Sequence, residues 1–242
     1  NGNWDSAQTI TVTGVNDTVV DGTVNSTITL AINDGSSNDN YDPLANQTVT
    51  AATADNDSPG FTVAQTGGST AVSETGTTDT FTVVLNAQPA SNVVIDVSSG
   101  DTGEATVSPS SLTFTSSNWA TEQAITVTGV NDTVVDGTVN STITLAVVDG
   151  SSNDNYDPLA NQTVTAATAD SGESAGFTVT QSGGSTAVSE SGSTDTFTVV
   201  LTAEPDSNVV ISVTSGDTGE ATVSASSLTF TDSNWDSAQT IT

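Results

Sequence analysis

The side chains of this sequence that could do chemistry are almost all carboxylates. Its 242 residues include 29 Asp and Glu and no Lys, Arg, His or Cys. The chain therefore lacks the residue types that most often serve as base or nucleophile, and carboxylates in loops lack the apolar pocket that tunes an acid for catalysis. We expect no enzyme activity. The net charge of −29 also argues against phosphate, nucleic acid and anionic membranes as partners.

One group of carboxylates lies beside apolar segments of the region 57–171, with one further acid just beyond it. With no positive side chain available, such groups repel one another unless a cation lies among them. Ca²⁺ takes about six to eight oxygen ligands, whereas Mg²⁺ demands stricter octahedral geometry, so we predict a Ca²⁺ site. The alternative is a set of ordinary solvated turns, which Asp-Gly and Asn-Asp sequences also form. The residues of this group are Glu74, Asp101, Glu104, Asp132, Asp136, Asp170 and Glu173.

A second group of carboxylates lies in the segment 149–157 and in the segment 55–60. The first segment has the oxygen-rich spacing of a calcium loop but not the residue order of an EF-hand. We predict that a cation shared between the two segments locks the angle between successive domains; the alternative is a flexible acidic hinge. The residues of this group are Asp55, Asp57, Asp149, Asp154 and Asp157.

The sequence is a tandem array. Ile10 and Ile125 open nearly identical stretches 115 residues apart, Trp4 and Trp119 are also 115 apart, and a further copy begins at Trp235. A repeat of this length can bury its own core, so each is a candidate domain. We predict a C-terminal half-repeat at 1–56, a complete repeat at 57–171 and an N-terminal half-repeat at 172–242.

The elements that must position these carboxylates are short strands. Apolar residues alternate with Thr and Ser, turns follow every few residues, and no helical period is present. We predict an all-β fold of tandem immunoglobulin-like Greek-key β-sandwiches, each of about seven strands. In the complete repeat the predicted strands are A (61–73), B (80–85), C (93–97), D (105–107 and 112–114), E (123–130), F (141–148) and G (162–169). The half-repeat 1–56 would carry E to G, and 172–242 would carry A to D and the start of E.

Strand direction then places the loops at two ends of the sandwich. The A–B, C–D and E–F loops and the end of strand G share one end, the distal pole, where the first carboxylate group collects. The B–C and F–G loops and the start of strand A share the other end, the proximal pole, with the segment 149–157.

Two aromatic residues of the loops have two interpretations each. Trp119, before strand E, and Tyr156, in the F–G loop, are expected to close the ends of the core. The alternative is that they stack on a sugar ring. Rows of Thr on the strands could similarly suit ice, although Thr is common on solvent faces of strands for its propensity alone.

The repeat resembles the Calx-beta domains of sodium-calcium exchangers and, more closely, the extender repeats of giant RTX-type adhesins of Gram-negative bacteria. The stretches that carry the resemblance are Phe61-Thr-Val, Val72-Ser-Glu-Thr-Gly, Ser99-Gly-Asp-Thr-Gly, Leu112-Thr-Phe, Ile125-Thr-Val-Thr-Gly-Val-Asn-Asp and Ala169-Asp170.

The resemblance implies calcium ligands at Glu74, Asp101, Asp132, Asp136 and Asp170. The sequence departs from the exchanger pattern at Asn131 and Gly137, where that pattern usually has acidic residues. It also departs after strand G, where a run of three Asp is reduced to Asp170 and Glu173. Fewer carboxylates imply fewer bound calcium ions or weaker calcium binding, which suits a protein bathed in millimolar calcium.

The function that follows as an expectation is an extracellular spacer on a bacterial cell surface, stiffened by Ca²⁺, with neighbouring repeats as its partners. A carbohydrate- or ice-binding module is the alternative. Because the two half-repeats are complementary, we also expect that halves of neighbouring chains could complete each other in a head-to-tail fibre.

Overall fold

The computed structural model describes residues 2–242, and these residues are organised almost entirely as β-strands. The all-β prediction is therefore confirmed. Within these residues the helical segments are four 3₁₀ turns at Asp34–Ser36, Thr66–Gly68, Asp149–Ser151 and Ser182–Gly184. None of the helical segments within 2–242 has the length and apolar character needed to cross a membrane.

The strands fall into three groups along the chain. The first half-repeat contains β1 (Val19–Val20), β2 (Val24–Leu30) and β3 (Gln47–Thr53). The complete repeat contains β4 (Phe61–Gln65), β5 (Thr70–Ser73), β6 (Thr78–Leu85), β7 (Gln88–Pro89), β8 (Val93–Ser99), β9 (Ala105–Ser108), β10 (Ser111–Phe114), β11 (Gln123–Gly129), β12 (Val134–Val135), β13 (Thr138–Val147) and β14 (Gln162–Ala169). The last half-repeat contains β15 (Phe177–Gln181), β16 (Phe197–Leu201), β17 (Glu204–Pro205), β18 (Val209–Ser212), β19 (Ser227–Phe230) and β20 (Gln239–Ile241).

The complete repeat forms a two-sheet sandwich. One sheet has the strand order β10-β8-β13-β14-β5 and the other has the order β4-β6-β11-β9. Their inner faces carry the alternating apolar residues that the sequence predicted, and Phe81, Val83, Ile95, Ile125 and Ile143 are all fully buried. This alternation buries one face of each strand in a shared core, the arrangement of an immunoglobulin-like sandwich.

Nine strands form this sandwich rather than about seven, because two predicted strands are each divided between the sheets. Predicted strand A is divided into β4 and β5, separated by Gly67 and Gly68 with φ of 69° and 85°. Predicted strand D is divided into β9, paired with β11, and β10, paired with β8. Pro109 lies between β9 and β10, where no ladder hydrogen bond is required.

The half-repeats form only those strands whose partners are present. In the first half-repeat β2 pairs with β3, but the predicted strand E forms no ladder, and Ile10 is 74% exposed. Its counterpart in the complete repeat, β11, pairs with β6 and β9, which have no equivalents within 1–56. The prediction of strand E there was therefore wrong. In the last half-repeat the predicted start of strand E is present, as β20 paired with β16.

Successive repeats are joined by short parallel strand pairs. Strand β1, in the E–F loop of the first half-repeat, pairs with β7 in the B–C segment of the complete repeat. Strand β12, in the E–F loop of the complete repeat, pairs with β17 of the last half-repeat in the same way. The sequence does not predict these joints, because two-residue strands have no periodicity to detect.

Candidate metal centre at the distal pole

Five of the predicted carboxylates come together where the strands of the complete repeat end. Their ligand atoms form two trios, and within each trio all atoms lie within 4.8 Å of one another. Glu74 belongs to both trios and links them. The first trio is Glu74, Glu104 and Asp132, and the second is Glu74, Asp136 and Asp170.

The backbone of the sandwich holds the two glutamates of this cluster in place. Glu74 directly follows β5, and its N–H donates to the carbonyl oxygen of Ala169 at 3.0 Å. Glu104 directly precedes β9, and its carbonyl oxygen accepts from the N–H of Val130 at 2.8 Å. Both residues are thus tied into neighbouring strands, so their side chains are positioned by the fold itself.

The interior of the cluster is shielded from water. Glu74 is 2% exposed and Glu104 is 6% exposed. The Oε2 atom of Glu104 and the Oδ1 atom of Asp170 are buried and have no hydrogen-bond partner. A buried carboxylate oxygen without a donor is costly, so a cation or a hydrogen-bond donor beside these two atoms would stabilise the fold.

The electrostatics of the cluster favour protonation when no cation is present. Burial, together with the nearby charges of Asp136 and Asp132, raises the pKa of Glu104 to about 7. Burial also raises the pKa of Glu74, although the N–H of Ser171, donating to Oε2 at 3.2 Å, opposes the shift. The pKa of Asp136 is raised by burial and by its hydrogen bond with Asp170.

Two of the seven ligands predicted for the distal pole lie outside the trios. Asp101 is exposed, and its Oδ1 atom accepts from the N–H of Gly103 at 3.0 Å, which closes a local turn. Glu173 accepts from the N–H and the hydroxyl of Ser171, and hydrogen bonds from its own backbone N–H and that hydroxyl lower its pKa. Ser171 therefore connects Glu173 to Glu74, a role that no sequence motif indicated.

The acidic F–G loop forms a separate group at the proximal pole. Burial and the neighbouring carboxylates of Asp149 and Asp154 raise the pKa of Asp157. The Oδ1 atom of Asp157 is buried without a partner, as is that of Asp42, its counterpart in the first half-repeat. Within the described chain, however, these residues do not form a close trio of the kind seen at the distal pole.

The linker carboxylate Asp55 belongs to the preceding half-repeat. Its Oδ2 atom accepts from the N–H groups of Asp21 and Gly22, each at 2.9 Å, and its Oδ1 atom accepts from the N–H of Asp57 at 2.7 Å. These hydrogen bonds, first that of Asp57, lower the pKa of Asp55. Both oxygens of Asp55 thus accept hydrogen bonds from backbone N–H groups, and the cation shared between this linker and the F–G loop stays a prediction.

The two aromatic residues close the core rather than face solvent. Tyr156 is fully buried, and Trp119 is half-buried and packs against the core cluster of the complete repeat. Burial also raises the pKa of Tyr156 to about 12. Tyr156 therefore offers no face on which a sugar could stack, which contradicts that alternative for this residue.

Comparison with known proteins gives no family assignment. No family model matches the chain, and no curated protein matches it. Among solved structures, domains 4 and 5 of the S-layer protein SbsC are 21% identical, over 51% of this chain and 52% of that chain, with a TM-score of 0.29. The YadV chaperone is 11% identical, over 75% of this chain and 83% of that chain, with a TM-score of 0.34. The MSP-domain protein SSP-19 of Caenorhabditis elegans is 14% identical, over 43% of this chain and 94% of that chain, with a TM-score of 0.29.

These three TM-scores are below 0.5, so none of the likenesses carries an inference about activity, ligands or partners. The strands and the geometry of the carboxylate cluster are what characterise this chain.

Proposed function

We propose that this chain is part of a structural spacer whose β-sandwich repeats are stabilised by Ca²⁺ at the distal pole. The observation that carries the proposal is Glu104, which is 94% buried yet has a carboxylate oxygen without any partner inside a cluster of four other carboxylates. A protein with no Lys, Arg or His has no internal cation to neutralise this group.

The ligand set favours calcium over other metals. Every candidate ligand is a carboxylate oxygen, which suits hard cations and disfavours zinc or copper, since those metals prefer the imidazole and thiolate ligands absent from this chain. Mg²⁺ is smaller and keeps several of its waters, whereas a shielded cluster of several carboxylates suits the larger coordination number of Ca²⁺. Glu74, Glu104, Asp132, Asp136 and Asp170 would hold the ion or ions.

A spacer role agrees with the repeats themselves. Nearly identical units, such as those beginning at Ile10 and Ile125, can be added by duplication without new chemistry in each one. The acidic surface would be stabilised by salt and by the millimolar calcium outside cells. Together with the resemblance to adhesin extender repeats, these features support a bacterial cell-surface location, where the array would project a binding domain. No observation on the described residues favours a sugar- or ice-binding module instead.

Calcium titration calorimetry and thermal unfolding test this proposal. We expect saturable binding of Ca²⁺, a higher melting temperature in calcium than in EDTA, and a weaker effect of Mg²⁺ at the same ionic strength. Small-angle scattering should show a more extended and less variable particle with calcium. Identical melting and scattering curves in EDTA and in calcium would refute the proposal.

We also propose that the half-repeats of two copies of this chain pair with each other. Several apolar residues that the complete repeat buries have exposed counterparts in the half-repeats: Leu30 is 50% exposed, whereas its counterpart Leu145 is fully buried. Phe177 is 55% exposed, and its counterpart Phe61 is 5% exposed. Strands β2 and β3 of one copy could cover the sheets β15-β16-β20 and β18-β19 of another. A monomer at every concentration by light scattering would contradict this pairing.

A further inference from the structure

The E–F loop of each repeat is the segment that contacts the next repeat. In the first joint the N–H of Gln88 donates to the carbonyl oxygen of Thr18 at 2.9 Å, next to the paired strands β1 and β7. In the second joint the N–H of Glu204 donates to the carbonyl oxygen of Thr133 at 3.2 Å, next to β12 and β17. The same contact therefore occurs twice in one chain.

An apolar side chain completes each joint. Val20 is 3% exposed and belongs to the core cluster of the complete repeat, the repeat that follows it in the chain. Its carbonyl oxygen accepts from the side chain of Asn155 in the F–G loop at 3.1 Å. The equivalent Val135 lines a groove with Leu201 and Pro205 of the last half-repeat.

The carboxylates of the distal cluster hold this same loop. The Oδ1 atom of Asp132 accepts from the N–H of Val134, the first residue of the joint strand β12, at 2.7 Å. The Oδ2 atom of Asp170 accepts from the N–H of Gly137 at 3.0 Å, just after it. Asp136, the residue that follows Val135, is a member of the second trio. The joint strand is thus bracketed by three carboxylates of the candidate metal centre.

We propose that the E–F loop, residues 132–137, is an ion-controlled docking strand for the next repeat. A cation among the carboxylates would hold Val134–Val135 in the position that pairs with Glu204–Pro205. Without the cation, repulsion among Glu74, the other cluster carboxylates and the loop would favour conformations in which the pairing is lost. The cation would then stiffen the joint through the loop rather than by bridging two repeats. This inference rests on the calcium site of the proposed function.

The chain contains its own control for this mechanism. The first joint has the counterparts of Asp132, Asp136 and Asp170, namely Asp17, Asp21 and Asp55, but residues 1–56 contain no counterparts of Glu74 and Glu104. An incomplete set of ligands should bind calcium much more weakly. In a protein made of these 242 residues, calcium should therefore act on the second joint and have little effect on the first.

Pulsed electron paramagnetic resonance on the full chain tests this difference. Because the chain has no Cys, introduced cysteines carry the only nitroxide labels. The exposed residues Thr113 and Thr229 span the second joint, and Thr29 and Thr113 span the first. We expect calcium to raise the ratio of docked to undocked molecules at the second joint by about tenfold, which is a usual coupling between two sites. The same ratio at the first joint should change much less.

Two variants separate the loop from the ion site. Val135→Ser keeps all five carboxylates, so calorimetry should still detect calcium, but the calcium-dependent rise in docked distances should be lost. Pro205→Ala changes only the receiving side and should reduce the rise in the same direction. Val20→Ser, the matched control, should affect the first joint and leave the second unchanged.

The outcomes distinguish this inference from the proposed function. Calcium binding by calorimetry with no change in the Thr113–Thr229 distances, or with equal changes at both joints, would overturn the docking strand and leave the calcium site standing. Absence of calcium binding would overturn the proposed function and this inference together.

Discussion

The hydroxyl of Tyr156 donates a hydrogen bond to the carbonyl oxygen of Ala87 at 2.6 Å, out of contact with solvent. The bond ties the F–G loop to the B–C segment at the proximal pole, beside the strand β7 that receives the preceding repeat. Its neighbour Asn155 contacts Val20 of that repeat. Tyr156 therefore supports the surface on which the first joint is built.

Replacing Tyr156 by Phe should destabilise the complete repeat. The substitution keeps the ring but leaves the buried carbonyl oxygen of Ala87 without its donor, which costs about 1–2 kcal/mol in the free energy of unfolding. Denaturant unfolding monitored by tryptophan fluorescence measures the change. Tyr41→Phe is the matched control, since Tyr41 is the counterpart in the first half-repeat and is 58% exposed. Equal effects of the two substitutions would show that the buried hydrogen bond contributes nothing.

Gly129 is required by a close approach of two backbones at the end of β11. A Cβ atom there would overlap the carbonyl oxygen of Ser73, which belongs to β5. Gly129→Ala should therefore force β5 and β11 apart and destabilise the repeat by about 1–3 kcal/mol, as overpacked sites do. Thermal unfolding of the full chain measures this effect.

Gly14 is the control for this substitution. It is the counterpart of Gly129 in the first half-repeat, and a Cβ atom there would meet only the side chain of Thr53, at 3.7 Å. Gly14→Ala should change the melting temperature little. Tolerance of Ala at both positions would mean that β5 does not pass over β11 as the structure shows.

The sequence predicted the core and most of the distal cluster because both follow from local patterns. Alternation identifies Phe81 and Val83 as inward-facing residues, and the antiparallel order of strands brings Glu74, Glu104 and Asp132 to one pole. Neither the inward-facing residues nor the shared pole depends on knowing which strands pair across the sandwich.

The features that the sequence did not predict depend on pairing across long distances. Alternation shows that β4 and β5 are strands but does not show that they belong to different sheets. The hydrogen bonds of Asp55 to the half-repeat before it, and the joint at Val134–Val135, involve too few residues to leave a pattern. The cation predicted between the segments 55–60 and 149–157 stays a prediction.

Glu104→Gln should have opposite effects with and without calcium. In EDTA at pH 8 the substitution removes a buried, unpaired charge, so we expect it to stabilise the chain by about 1–3 kcal/mol. In calcium it removes a ligand, so calorimetry should show at least about tenfold weaker binding, and the stabilisation by calcium should shrink accordingly. Glu220→Gln, at the exposed counterpart in the last half-repeat, should change neither quantity. Unchanged calcium affinity in Glu104→Gln would exclude this residue as a ligand.

The raised pKa of Glu104 predicts how stability depends on pH when calcium is absent. Its carboxyl has a pKa of about 7 in the folded chain, against 4.5 for an ordinary Glu, so between these values the folded state holds more protons than the unfolded state. The free energy of unfolding in EDTA should therefore fall as the pH rises from about 4.5 to about 7 and then level off. Glu74 and Asp136, whose pKa values are also raised, add to the fall.

Calcium should abolish this fall, because the ion binds the ionised carboxylates and competes with their protons. With saturating calcium the folded carboxylates stay ionised, so the free energy of unfolding should rise as the pH passes the ordinary Glu pKa of 4.5 and then stay level up to about pH 7. Chemical unfolding at a series of pH values, in EDTA and in calcium, measures both slopes. Glu104→Gln should flatten the slope in EDTA, whereas Glu220→Gln should leave it unchanged. A stability that rises with pH in EDTA would mean that Glu104 is already ionised and compensated by a group other than a metal ion.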